Sequence, residues 1–145
     1  MKIISHRGNL YGAISKSENS PRHIIQAINA GFDVEVDVWC VGGDLYLGHD
    51  EPTYRIGNDW VLEKPLWLHT KNQEAFEFLY EMSKNQQNMQ YFWHENDSMT
   101  MTSQGTPWLF PGNYSRLGIT VELGMPTISR DIYGVCTDYP IAWMR

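Results

Sequence analysis

Apolar and polar positions alternate most cleanly over Phe32-Asp33-Val34-Glu35-Val36-Asp37-Val38-Trp39. On a strand, Val34, Val36 and Val38 fall on one side; Asp33, Glu35, Asp37 and Trp39 fall on the other. Ahead of it, Lys2-Ile3-Ile4-Ser5 predicts a short strand running into His6-Arg7-Gly8, where glycine permits a sharp turn. Asn9 to Ser17 reads as a polar loop. Ser20 as a cap, Pro21 at the first helical position and the stripe Ile24, Ile25, Ala27 and Ile28 predict a helix that Gly31 ends. Residues 2–38 therefore read as one β-α-β unit, expected to be parallel and right-handed.

Gly42-Gly43-Asp44 predicts a turn, and Leu45-Tyr46-Leu47 a returning strand that carries His49 back to the end of the acidic strand. Pro52 to Asp59 reads as loop. Leu66 to Lys71 predicts a buried strand, Asn72 to Met82 a helix with Ala75, Phe76, Leu79 and Met82 on one face, and Gln90 to Trp93 another strand. Further strands are predicted at Trp108 to Phe110, Ile119 to Val121 and Tyr133 to Cys136. Polar, chemically capable residues recur just after or at the ends of these apolar runs: His6, Glu35, Asp37, His49, Lys71, His94 and Asp138. In a parallel barrel such ends share one face. The predicted fold class is α/β: a reduced (β/α) TIM-type barrel with about seven short strands, several helices being missing or shortened relative to a full barrel of about 250 residues. Residues 1–145 read as a single domain.

Composition narrows the function. The 145 residues are 42% hydrophobic, enough for one core, and include six Trp, eight Tyr and five Phe. The tryptophans Trp39, Trp67, Trp93 and Trp108 read as core or pocket wall. A net charge of −6 without a long basic stretch argues against nucleic-acid binding. An anionic substrate would need a bound cation or a local Arg/Lys cluster to reverse that field. No apolar run is long enough to cross a bilayer, so no membrane insertion is expected. Lys2 is followed by only two apolar residues before Ser5, unlike a signal peptide, and a cytoplasmic location is expected. Cys40 and Cys136 each lie in apolar runs and read as free buried thiols rather than a disulfide.

The acidic side of the alternating strand carries the candidate chemistry. Asp and, less so, Glu are poor strand formers, and the segment holds no Lys or Arg to partner them. Carboxylates at i and i+2 on one face stand a few Å apart, which costs energy unless a cation lies between them or one is protonated. That pattern points to a hard divalent metal with oxygen ligands; a solvated strand face is the plainer alternative.

Four short stretches, His6-Arg7-Gly8, Glu18-Asn19, Glu35-Val36-Asp37 and His49-Asp50, come in that order, and Gly134 to Pro140 closes the series. Together they resemble the glycerophosphodiester phosphodiesterase family, among the barrel phosphodiesterases that include phosphatidylinositol-phospholipase-C-like enzymes. Trp67 to Asn72 and Trp93 to Asp97 are similar to segments of its small barrel homologues. The resemblance implies metal ligands at Glu35 and Asp37, with Glu18 near the metal or the phosphate. It implies acid/base histidines at His6 and His49, and phosphate binding by Arg7 and Lys71. The implied metal is Mg²⁺ or Ca²⁺. One position departs: where family members place a metal-ligating Glu two residues before the lysine, this chain has His69. Imidazole suits Mn²⁺, Zn²⁺ or Fe²⁺ better, and Glu95 or Asp97 is a candidate for the missing carboxylate. His94, Glu95, Asp97 and Asp138 are expected to line the site, and His23 to be structural.

The function so implied is metal-dependent hydrolysis of a small glycerol- or sugar-type phosphodiester, with acid–base catalysis by His6 and His49. The alternative is a non-catalytic or divergent barrel that binds a sugar phosphate or related phosphorylated metabolite. A barrel trimmed of helices would leave apolar strand exteriors that a homodimer could cover.

Overall fold

The computed structural model describes residues 1–126 and 131–144. In chain order its elements are β1 (Lys2–His6), α1 (Pro21–Asn29), β2 (Asp33–Val41), β3 (Asp44–Leu47), β4 (Tyr54–Arg55), β5 (Leu66–Thr70), α2 (Gln73–Ser83), β6 (Gln90–Trp93), β7 (Met99–Met101), β8 (Pro107–Leu109), β9 (Ile119–Val121), β10 (Gly134–Thr137) and α3 (Pro140–Trp143). The helix starts follow their sequence signals. The Ser20 hydroxyl accepts from His23 N at 3.2 Å and Pro21 opens α1. Asn72 Oδ1 accepts from Ala75 N at 3.0 Å to cap α2. The same amide donates to Cys40 O and accepts from Cys40 N, tying the helix start to β2.

The reduced (β/α) barrel expected from the sequence does not form. The chain builds a mixed, mostly β structure, a sheet of ten strands curled into a half-barrel. Strands β6, β5, β2, β1, β10, β9 and β8 run parallel in that order. β3, β4 and β7 add antiparallel pairs at the margins. The physical reason is the shortage of helix. Among the described residues, only β1-α1-β2 and β5-α2-β6 are joined by helical crossovers, and the longest helix has 11 residues. A β/α barrel needs a helix over each strand. β4 falls inside the expected loop at 52–59, and β7 and α3 were not expected at all.

The two faces of the sheet hold two cores. Outside the curl, Val34, Val36 and Val38 pack with Ile24, Ala27, Ala75 and Leu79. Inside it, Ile4, Trp67, Phe92, Trp108, Ile119 and Cys136 form a second cluster. Among the described residues no ladder joins β6 to β8. The gap is spanned by the Phe92–Trp108 stack, centroids 4.5 Å apart, with Trp67 5.6 Å from Trp108. Isolated bonds such as Ser103 N to Tyr91 O at 2.9 Å help. The Trp67 indole N–H donates to Asp33 Oδ2 at 2.9 Å, and Lys2 Nζ lies 2.8 Å from the same oxygen. The first acid of the alternating face is therefore structural. Cys40 and Cys136 are both buried and free, as read from the sequence.

The parallel register positions the site. Glu35 pairs with His6 on one side and Trp67 on the other, and Asp37 pairs with His69. β1 leaves the edge of β2 after Arg7 N donates to Glu35 O; Gly48 N then takes the next carbonyl on that edge, Asp37 O. Arg7 and His49, 42 residues apart, are thereby neighbours. No helix among the described residues is long and apolar enough to cross a membrane.

Trp108 is the central side chain of the packing that closes the open side. Trp108→Ala is expected to cost about 3–5 kcal/mol, the range for deleting a buried aromatic side chain. Urea unfolding with near-ultraviolet circular dichroism measures it; a loss below about 1 kcal/mol would mean the seam is held by the backbone bonds instead.

Candidate active site

Glu35 and Asp37 are 3% and 1% exposed. They are the two carboxylates on the inner face just above the aromatic cluster. His69, opposite Asp37 on β5, completes a group whose donor atoms all lie within 4.8 Å of one another. Its Nδ1 is 3.3 Å from Asp37 Oδ1 and 3.5 Å from Glu35 Oε2. Its Nε2–H donates to the His94 carbonyl at 2.9 Å, which fixes the ring with Nδ1 towards the acids. The ring also stacks on Phe92, centroids 4.9 Å apart.

Charges dominate the protonation of this group. Burial disfavours ionised Asp37, but the adjacent His69 and the Arg7 guanidinium outweigh it and hold the carboxyl well below the usual range. Burial likewise opposes charge on His69, yet the Asp37 and Glu35 carboxylates beside its Nδ1 push its pKa up to about 9. Without a bound ion, His69 is thus an imidazolium between two carboxylates.

A divalent ion fits the same atoms. Glu35 Oε1 and Asp37 Oδ1 are buried without a hydrogen-bond partner. Buried oxygens are seldom left so, and His69 Nδ1 is the nitrogen turned towards them. Two carboxylates and one imidazole form a donor set for Mn²⁺, Zn²⁺ or Fe²⁺ more than for Ca²⁺.

A histidine stands at either end of the acidic pair. His6 Nδ1–H donates to Asp138 Oδ1 at 2.7 Å, leaving Nε2 4.0 Å from Glu35 Oε1. Burial lowers the His6 pKa, but the Asp138 bond and the Glu35 charge more than offset it, and the value is raised. Asp138 is lowered in turn, burial being outweighed by its bond to His6. At the other end, His49 Nδ1 accepts from Arg7 Nη2 at 2.8 Å and lies 3.5 Å from Asp37 Oδ2. A neutral His49 therefore carries its proton on Nε2.

Arg7 is held by a left-handed backbone, φ 58°. That turn aims the side chain sideways at the end of β1. Nη1 donates to Glu18 Oε1 at 3.2 Å, Nε lies 3.2 Å from Asp37 Oδ2, and Nη2 holds His49. Gly8 follows at φ 90°, and a Cβ there would stand 2.9 Å from the His23 ring. Glu18 lies outside the metal-competent group, bound by Arg7 and by Asn9 Nδ2 at 2.8 Å. Lys71 and Glu95 line the cavity in front of the site, as does His94. Asp97 Oδ2 is 3.6 Å from His94 Nδ1, and neither Glu95 nor Asp97 joins the group formed with His69.

Two asparagines were not assigned roles from the sequence. Asn19, φ 65°, donates to Asp37 Oδ2 at 2.9 Å and accepts from Asp37 N at 2.9 Å. Asn9, wholly buried, donates to both Glu18 and Asp138 and accepts from His23 Nε2. Asn9 directly after His6-Arg7-Gly8, and Asn19 directly after Glu18, are the only traces in the sequence. His23 stands outside the cavity lining, its Nε2 bound to Asn9 Oδ1 at 2.9 Å.

The cavity has a volume of about 400 Å³. His6, Arg7, Glu35, His49, His69 and Lys71 supply its polar wall. Compared with protein-family models, curated proteins and solved structures, the chain matches none. The family resemblance rests on the residues alone.

His69 makes metal binding and stability respond to pH in opposite directions. In metal-free protein its folded pKa of about 9 exceeds the ordinary 6.5, so its contribution is full below 6.5 and is lost as pH rises through about 9. An ion must displace that proton, so Zn²⁺ affinity is expected to rise about tenfold per pH unit below 9. Calorimetric titrations at pH 6.5, 7.5 and 8.5 measure the slope; a flat profile would remove His69 from the ligand set.

Proposed function

We propose that the protein is a metal-dependent phosphodiester hydrolase acting on a small glycerol- or sugar-type phosphodiester. One observation carries this reading: two histidines, His6 and His49, stand at the two ends of a buried carboxylate pair. Hydrolysis of a phosphodiester needs a base for the attacking hydroxyl, an acid for the leaving alkoxide and positive charge at the phosphoryl oxygens.

His6 has the form of the base. Asp138 takes its Nδ1 proton in a hydrogen bond, so the neutral ring offers Nε2 to a hydroxyl of water or of the substrate. His49 has the place of the acid. In its imidazolium form, with Nδ1–H turned to Asp37 Oδ2 3.5 Å away in place of Arg7 Nη2, Nε2–H goes to the leaving oxygen and the neutral ring remains. Arg7 spends most of its donors on Glu18, His49 and the neighbourhood of Asp37, so it chiefly positions His49 and Asp37. Lys71 is the ammonium facing the cavity for the phosphate. A divalent ion held by Glu35, Asp37 and His69 would supply Lewis-acid neutralisation of the phosphoryl oxygens. The free buried thiols suit a reducing compartment such as the cytoplasm.

A second reading has its own support. His69 already supplies a positive charge between Glu35 and Asp37, so the site is neutralised in part without an ion. On that reading it binds a sugar phosphate or related metabolite and does not turn it over.

Metal-stripped protein assayed on bis(p-nitrophenyl) phosphate and glycerophosphodiesters, with Mg²⁺, Ca²⁺, Mn²⁺ and Zn²⁺ restored separately, decides between them. Mn²⁺ or Zn²⁺ is expected to restore the most activity. Glu35→Ala/Asp37→Ala is expected to abolish it, and His6→Ala or His49→Ala to lower kcat about 10²–10⁴-fold. Absence of turnover with every metal, in protein shown to be folded, would favour the binding reading. Full activity in His49→Ala would remove His49 from the chemistry.

A further inference from the structure

Four consecutive residues, His6-Arg7-Gly8-Asn9, turn the chain at the end of β1, and the fourth reaches both arms of the proposed chemistry. Asn9 is wholly buried, and its Nδ2 donates to Asp138 Oδ1 and to Glu18 Oε2, both at 2.8 Å. Asp138 Oδ1 is also the oxygen that holds His6 Nδ1. Glu18 holds Arg7 Nη1 with its other oxygen, and Arg7 Nη2 donates to His49 Nδ1. One amide therefore stands between the carboxylate behind His6 and the carboxylate behind the Arg7–His49 pair. Its direction is fixed, because Oδ1 accepts from His23 Nε2 at 2.9 Å and from Ile14 N at 3.3 Å. Turned over, it would set its oxygen against two carboxylates and its nitrogen against two N–H donors. Gly8, with no Cβ, admits the His23 ring against the turn.

We propose that Asn9 is a positioning residue for the hydrolysis: its amide bridges Asp138 and Glu18 and so holds His6 and the Arg7–His49 pair in one frame. The assignment rests on the phosphodiesterase reading and adds to it the residue that sets base and acid relative to each other. Two neighbouring carboxylates repel, and each of these has a side chain to hold. A neutral group with two N–H donors ties them together. An Asp in its place would add a third negative charge, and a Ser has a single donor. Packing alone does not call for an amide: Leu has the same heavy-atom skeleton without the cost of burying polar atoms. The turn does not call for it either, since the Asn9 backbone closes that, N donating to His6 O at 3.0 Å and O accepting from Ser5 Oγ at 2.8 Å. Base and acid must reach one phosphorus atom together, and a misplacement of about 1 Å costs up to about 10²-fold in rate.

Steady-state kinetics on bis(p-nitrophenyl) phosphate with Mn²⁺, together with the proton spectrum of the full chain, test the bridge. Asn9→Leu is expected to lower kcat about 10–10²-fold with KM within about threefold, because Lys71 and the metal ligands are untouched. His23→Leu, which frees the amide to turn, should lower kcat about tenfold. His23→Gln, whose Nε2 can donate in place of the ring, should recover most of that loss, and this pair decides the matter if Asn9→Leu does not fold. The His6 Nδ1 proton, held in a short bond to a carboxylate, resonates far downfield. Glu18→Gln is expected to move it, since Asn9 carries the change to Asp138, and to leave it in place in the Asn9→Leu background. Unchanged kcat in folded Asn9→Leu, a change in KM alone, or His23→Gln no more active than His23→Leu overturns the assignment. If the unaltered chain hydrolyses neither this ester nor glycerophosphodiesters with any metal, the hydrolase reading falls. The spectrum then decides the bridge by itself, and an unmoved His6 proton in Glu18→Gln overturns it.

Discussion

Two carboxylates buried side by side on one strand face set the terms for everything near them. Leaving Glu35 and Asp37 without countercharge would cost several kcal/mol per ion after relaxation, more than a domain of this size has to spare. The surrounding residues answer that cost. Arg7 and Asn19 contact Asp37 from one side, His69 lies against both acids from β5, and His6 faces Glu35 from β1. Both Arg7 and Asn19 hold left-handed backbones, φ 58° and 65°. Such a conformation costs a non-glycine residue about 1–2 kcal/mol. That strain sits at the charged pair, where ion pairing and hydrogen bonding offset it.

The curled sheet makes the pair possible. On a flat solvated strand, Asp33, Glu35 and Asp37 would all be exposed. Here the inner face closes over them in layers. Asp33 is taken by Trp67 and Lys2 at the level of the aromatic cluster, and Glu35 and Asp37 emerge just above it. Phe92, Trp67 and Trp108 keep water from below, and β1, β2 and β5 deliver polar groups from three parallel strands to one mouth. Parallel pairing matters because it keeps the C-terminal ends together, as in closed β/α barrels, although here the sheet remains open between β6 and β8.

Much of the N-terminal half was legible because local signals and tertiary demands agree there. Ser20-Pro21, the valine alternation and Gly42-Gly43 give α1, β2 and the β2–β3 hairpin within a residue or two. The acidic face was read as a site because its charges had no partners in sequence; the partners come from β1, the 9–20 loop and β5. What failed was closure. Polar residues at strand ends suggest a barrel, but whether β6 pairs with β8 to close the ring depends on side chains such as Phe92 and Trp108 that fill the gap, and no periodicity reports that. β7 escaped because Met99-Thr100-Met101 is short and its apolar residues face outward, 52% and 56% exposed. Asn9 and Asn19 escaped because an amide in a polar loop looks like any other until the loop folds over a carboxylate.

His69 changes the electrostatics more than a swap of ligand atoms would. A third carboxylate in its place would leave three like charges together, tolerable only with an ion bound. Imidazole removes one negative charge and can add a positive one. The metal-free cluster then carries a net charge of about minus one in place of minus three, and with a divalent ion it becomes neutral. Two consequences follow together. Without an ion, His69 stands beside both acids as their countercharge. On the proposed function, an anionic substrate would meet a less negative centre, and a neutral one with the ion bound. In a chain of net charge −6, His69 is thus the residue that most reduces the negative charge of the cluster.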